Sequence, residues 1–200
     1  MQNLNRKPRC AWAGTTDENY IAYHDMEWGV PVTDDVKLFE FIVLESAQAG
    51  LSWKTILNRR EGYRKAFKGF DPKKVAKMGE KDVARLVNDP SIIRNRMKIE
   101  STIKNAKAFL LVQKEFGSFS NYMWGWVKEK PVQGKRKKSS DIPAVTDLAI
   151  AMSKDLKKRG FSFLGPTVWY AHMQAVGMAN DHVMSCFRYK DVVKLRPQEH

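Results

Sequence analysis

The sequence predicts an all-α fold, one compact domain of eight to ten short helices. Three observations carry that prediction. Apolar residues recur at steps of three and four along most of the 200-residue chain, strand-like alternation is scarce, and 43% hydrophobic content supplies a real core. Asn19 to Trp28 forms the first helix of this reading. Asp34 and Asp35 open the second, followed by Val36, Leu38, Phe39, Phe41, Ile42 and Leu44, and it closes near Gly50. The next segment opens around Ser52 and carries Trp53, Ile56, Leu57, Tyr63 and Phe67. Lys98 to Val112 repeats the rhythm with Ile99, Ile103, Ala106, Phe109 and Leu110. Thr146 to Lys158 does so with Leu148, Ala151, Met152 and Leu156. Pro166 suits the first position of a last predicted helix running through Val168 to Gly177. No internal repeat interrupts this order.

Composition narrows the function classes. Thirty-five Lys and Arg against 22 Asp and Glu leave a net charge of +13. That excess points to a polyanion, most commonly nucleic acid, against the alternative of a basic surface without such a partner. No run of eighteen apolar residues exists, and the first nine residues lack an apolar stretch. A membrane span and a secretory signal are therefore not expected. Two cysteines, Cys10 and Cys186, fit a reducing cytoplasm better than a disulfide scaffold. Residues 131–143 form a polar stretch containing Lys135-Arg136-Lys137-Lys138. It reads as a flexible basic loop, either simply solvated or adding phosphate contacts.

Several residue groups carry chemistry. On a helix, Tyr20, Tyr23, His24 and Glu27 share one face, either as aromatic packing with polar tips or as part of a site. Glu45 is the one charge on the stripe Leu38, Phe41, Ile42, Glu45 and Ala49. A carboxylate there needs an internal Arg or Lys, or else faces a pocket that expects a cation or hydrogen-bond donors. Trp53 follows eight residues on, with Trp12 and Trp28 nearby in sequence, and acid plus aromatics is the chemistry of a cage for a flat cation. Cys10, His24, His182 and Cys186 make a Cys2His2 zinc set by residue type. Their spacing alone leaves ordinary buried thiols as the alternative. Arg159 to Thr167 holds Gly160 and Gly165 between two predicted helices. Such a hairpin either offers N–H groups to a phosphate or is a plain connection.

These strings together resemble the 3-methyladenine DNA glycosylase I family of the helix-hairpin-helix glycosylase superfamily, over about residues 9–189. The resemblance rests on Cys10-Ala11-Trp12, on Tyr20 to Gly29, and on Leu44 to Trp53. Ile92-Ile93-Arg94-Asn95-Arg96, Gly160 to Thr167 and Asn180-Asp181-His182 continue it. It implies a helix-hairpin-helix glycosylase-like domain that flips 3-methyladenine from alkylated double-stranded DNA and hydrolyses its glycosidic bond. It also implies a structural zinc on Cys10, His24, His182 and Cys186, tying the two ends of the domain together. In this reading Glu45 is the catalytic candidate and a base-binding one, joined by Tyr20, Tyr23, Trp53 and Trp12. Gly165, Thr167, Arg94 and Arg96 are the DNA-contacting candidates. The superfamily's usual aspartate near the sugar aligns with Asn180, and its Schiff-base lysine with Thr167. The expectation is a monofunctional hydrolase without a lyase step or a strong general base. A monomer in a bacterial-type cytoplasm, with free 3-methyladenine as product, completes it. The alternative is a non-catalytic reader of alkylated DNA.

Overall fold

Several helix starts in this chain are set by side-chain caps. Asp17, Asp34, Ser52, Asn95 and Thr146 each accept a backbone N–H at the head of a helix. The computed structural model describes residues 7–14 and 16–197. Its first half contains a 3-10 turn at Ala11–Ala13, then α1 (Glu18–Met26), α2 (Asp35–Gln48), α3 (Trp53–Leu57), α4 (Arg60–Ala66), α5 (Pro72–Val75) and α6 (Glu80–Leu86). The second half contains α7 (Arg96–Phe116), α8 (Phe119–Gly125), β1 (Val132–Gln133), α9 (Asp147–Lys158), α10 (Pro166–Ala175), β2 (Ala179–Asn180) and α11 (Phe187–Val193). No helix among the described residues is long and apolar enough to cross a membrane.

The mostly helical expectation holds, with two corrections. Eleven α-helices stand among the described residues rather than eight to ten. The pattern from Ser52 to Phe67 breaks at Asn58–Arg59 into α3 and α4, and single-turn α5 is too short to show a period. The second correction is a parallel pairing of β1 with β2, Val132 opposite Ala179 and Gln133 opposite Asn180. Two-residue strands give no alternation to detect.

α2 is the central element and touches α3, α4, α7, α8 and α10. Every residue from Leu38 to Ala47 is buried, so the helix has no solvated face through its middle. Phe39 meets Phe109 edge-on at 5.3 Å, and Phe109 stacks on Phe119 at 4.2 Å. Both ends of α2 are fixed. Asp35 accepts from Gln113 Nε2 and from the Phe119 and Ser120 amides. At the other end, Lys98 Nζ donates to the Ala47 and Ala49 carbonyls at 2.8 and 2.7 Å. A cation on the last carbonyls complements the helix dipole and holds the turn that leads to Trp53.

The segment 131–143 is tied at several points. The Gly134 amide donates to the Asn180 carbonyl, the Met184 amide to the Arg136 carbonyl, and Arg136 Nε to Asp181 Oδ1 at 2.8 Å. A Cβ at residue 134 would run into the Asp181 carboxylate, so glycine alone fits that approach. Lys135, Lys137 and Lys138 remain exposed.

Candidate functional site

The base-binding candidates converge. A cavity of about 210 Å³ is lined by Trp12, Tyr20, Tyr23, Glu45 and Trp53, together with Trp28, Gln48, Ile142, Ala171 and Gln174. The 3-10 turn supplies Trp12, α1 the tyrosines, α2 the acid and Gln48, and α10 the far wall. Trp12 packs edge-on to Tyr20 at 5.3 Å and to Trp28 at 4.9 Å, while Tyr23 meets Trp53 at 5.2 Å. These ring contacts fix the walls without filling the space between them.

Glu45 is 4% exposed and, among the described residues, has no ion-pair or hydrogen-bond partner. Burial pushes its carboxyl up to about 8. The same helix carries a second buried acid, which gives the contrast. Glu40 is 2% exposed, but Arg60, Arg64 and Lys37 all pair with it. Sequence periodicity leaves Glu40 off the apolar stripe and so passes over it. The chain thus neutralises one buried carboxylate with its own cations and leaves the other facing the cavity. Desolvation, then nearby acids including Glu45, raises the pKa of Tyr20 and Tyr23, so both remain phenols.

The four-residue face on α1 divides three ways. Tyr20 and Tyr23 enter the cavity, whereas Glu27 turns to Arg60 at 2.8 Å and Lys37 at 3.1 Å. Hydrogen bonds and charge from these cations outweigh burial and keep Glu27 ionised. His24 belongs to a separate cluster.

Cys10, His24, His182 and Cys186 are all buried, with one ligand atom from each inside a 4.8 Å span. Cys10 Sγ lies 3.6 Å from His182 Nδ1, and Cys186 Sγ lies 3.5 Å from His24 Nε2 and 3.6 Å from His182 Nδ1. A tetrahedral zinc with bonds of about 2.3 Å to sulfur and 2.0 Å to nitrogen separates S from N by about 3.5 Å. The donor set fits that ion. The other ring nitrogens are also placed, His24 Nδ1 on Asp25 at 2.8 Å and His182 Nε2 on the Trp28 carbonyl at 2.9 Å. Arg9 grips Asp25 through two nitrogens, and with the bond to His24 this outweighs burial and keeps the carboxylate ionised. Such outer partners fix which nitrogen points inward. Sharing a proton between the thiols lowers Cys186 and raises Cys10. Gly29, at a φ of +81° (disfavoured for side chains), sits where a Cβ would press on the His182 ring at 3.1 Å.

The α9–α10 hairpin is rigidly supported. Asn105 Oδ1 accepts from the Ser162 amide, its Nδ2 donates to the Ser162 carbonyl, and Ser153 Oγ donates to the Leu164 carbonyl. Gly165 caps α10, and Gly165, Pro166 and Thr167 are exposed. Lys104, Lys154 and Lys157 border the hairpin groove. Arg94 is exposed before α7, and Arg96 is exposed but shared between Glu80 and Glu100. Both of those pairs are solvent-facing and exchange easily.

The profile of the family described as Methyladenine glycosylase matches residues 12–189. The chain belongs to this family. Among relatives, DNA-3-methyladenine glycosylase 1 of Escherichia coli (strain K12) is 51% identical over 181 residues, covering 90% of this chain and 96% of that protein. DNA-3-methyladenine glycosylase of Haemophilus influenzae is 47% identical over 178 residues, covering 89% and 96%. A crystal structure of a 3-methyladenine DNA glycosylase I variant in complex with 3-methyladenine superposes with a TM-score of 0.87 at 41% identity, covering 90% of this chain and 96% of that one.

Within this methyladenine glycosylase chain, sequence reasoning missed Gln48, Ile142, Ala171 and Gln174 as lining residues, and left Trp28 unassigned. Gln48 lies one turn beyond Glu45 and was recoverable from helical spacing. The α10 residues and Ile142 are placed by tertiary packing and carry no local mark.

Proposed function

We propose that this chain is a monofunctional 3-methyladenine DNA glycosylase, a single catalytic domain acting as a cytoplasmic monomer on alkylated double-stranded DNA. The observation that carries this reading is Glu45, buried without a cation partner in an aromatic cavity. A base methylated at N3 is cationic in DNA and supplies the missing charge. Once flipped, it sits between Trp53 and Trp12, with Glu45 and the Tyr20 and Tyr23 hydroxyls at its polar edges. In hydrolysis, water oxygen bonds to the sugar C1′ while the glycosidic electron pair leaves with the base. The base departs neutral, and the water's second proton goes to solvent. Positive charge moves toward the sugar in this step, so the cavity's main work is extraction and selection.

Asp181 is occupied by Arg136, Tyr170 and Gln174, which supports a site without a strong general base. Thr167 in the position aligned with a Schiff-base lysine supports the absence of a lyase step. Cys10, His24, His182 and Cys186 would hold a zinc ion, which would supply a structural cross-link between segments far apart in the sequence. Incubation with methylated DNA is expected to release free 3-methyladenine and leave an uncut abasic strand. Tight binding with no base released would instead establish a reader.

Hairpin anchoring carries its own expectation. Gly165, Thr167, Arg94 and Arg96, with the groove lysines, meet phosphates, so affinity for abasic-site DNA falls with salt. Three phosphate contacts correspond to about a fortyfold loss between 50 and 200 mM salt. Fluorescence titration that stays flat over this range would overturn the electrostatic account.

A further inference from the structure

Gln174 stands on α10 in the cavity wall, half-buried. Its Nε2 donates to Asp181 Oδ2 at 2.8 Å. Asp181 is 1% exposed and also accepts from the Tyr170 hydroxyl and from Arg136 Nε. A carboxylate only accepts, so the Gln174 amide must turn its nitrogen toward Asp181 and its oxygen away from it. That oxygen has no partner among the described residues and is not enclosed by protein. With Gln174 in the cavity wall, an oxygen turned away from Asp181 is left as an acceptor of fixed polarity.

The other polar groups in the wall lack that property. Tyr20 and Tyr23 hydroxyls donate or accept as needed, and Glu45 can carry its proton or release it. Gln48 makes no side-chain hydrogen bond among the described residues that would orient its amide. Purines differ at C6: adenine presents an N6 amino donor where guanine presents an O6 acceptor.

We propose that Gln174 is a specificity-determining residue whose Oε1, aimed by Asp181, accepts from the C6 amino group of the flipped base and rejects bases with oxygen there. This rests on the glycosylase reading and extends it to the choice between adenine and oxo-purines. Asp181 acts here as a positioning residue, and Arg136 brings the basic segment into the same network.

The test is calorimetric titration of the full chain with free 3-methyladenine and with 3-methylhypoxanthine, which carries oxygen in place of the C6 amino group and, as the lactam, a proton on N1. The wild type is expected to prefer 3-methyladenine by roughly ten- to a hundredfold, since an oxygen facing Oε1 leaves both acceptors unpaired. In Gln174→Met and Gln174→Ala the ratio should fall toward unity, with binding of 3-methylhypoxanthine unchanged or improved. Asp181 keeps Arg136 and Tyr170 in both variants, and thermal melting checks that they fold. Equal affinities in the wild type, or an unchanged ratio in either folded variant, would overturn the proposal. Wild-type protein that binds neither base would instead remove the glycosylase reading beneath it.

Discussion

Cys186→Ser is expected to lose bound zinc and melting temperature together. Cys10 and His182 are 172 positions apart, and their ligand atoms share one buried cluster with His24 and Cys186. A cross-link over that span constrains the unfolded chain much as a disulfide does, which by loop entropy is worth about 5 kcal/mol. Serine leaves three donors and a weaker hold on the ion, so a loss of several degrees or more is expected. Elemental analysis and thermal melting on one preparation check both halves. Full zinc occupancy in the variant would remove Cys186 from the ligand set. A strong chelator should reproduce the destabilisation in the wild type.

Glu45→Gln should make the protein more stable at neutral pH while weakening its hold on the base. The carboxyl is raised from 4.5 to about 8 by burial, so the folded state binds this proton more tightly than the unfolded state. Below about pH 4.5 the group is neutral in both states and costs nothing. As pH rises toward 8 the unfolded state ionises freely and stability is lost, reaching roughly 3 kcal/mol at pH 7. Glutamine removes that loss, so its stabilising effect should appear at pH 7 and vanish near pH 4. Affinity for free 3-methyladenine should fall by about one to two decades, the worth of one charge-assisted hydrogen bond. A large drop in stability with unchanged affinity would place Glu45 in the core and the pocket elsewhere.

Glu45 was legible in the sequence because a lone charge on a helical apolar stripe demands an explanation. Tyr20 and Tyr23 were legible for the same geometric reason, as polar atoms at helical spacing where aliphatics are usual. The Cys2His2 set was visible only as residue types; spacing across most of the chain carries no distance information, and the family resemblance made it specific. Gln174 was invisible because its role is set by Asp181, which reaches it from beyond the end of α10. The β1–β2 pairing was hidden for a like reason, joining short segments with no pattern of their own.

The tryptophan walls of the cavity lean on the Cys2His2 cluster. Trp12 meets the His24 ring at 5.1 Å, and Trp28 meets the His182 ring at 4.6 Å while its carbonyl accepts a hydrogen bond from His182 Nε2. During synthesis the ribosome delivers Trp12, Tyr20, Trp28, Glu45 and Trp53 early, and His182, which backs Trp28, more than 100 residues later. A nascent chain therefore holds most of the cage before it can brace it. A chain released before His182 would carry these cage residues without the ring that backs Trp28.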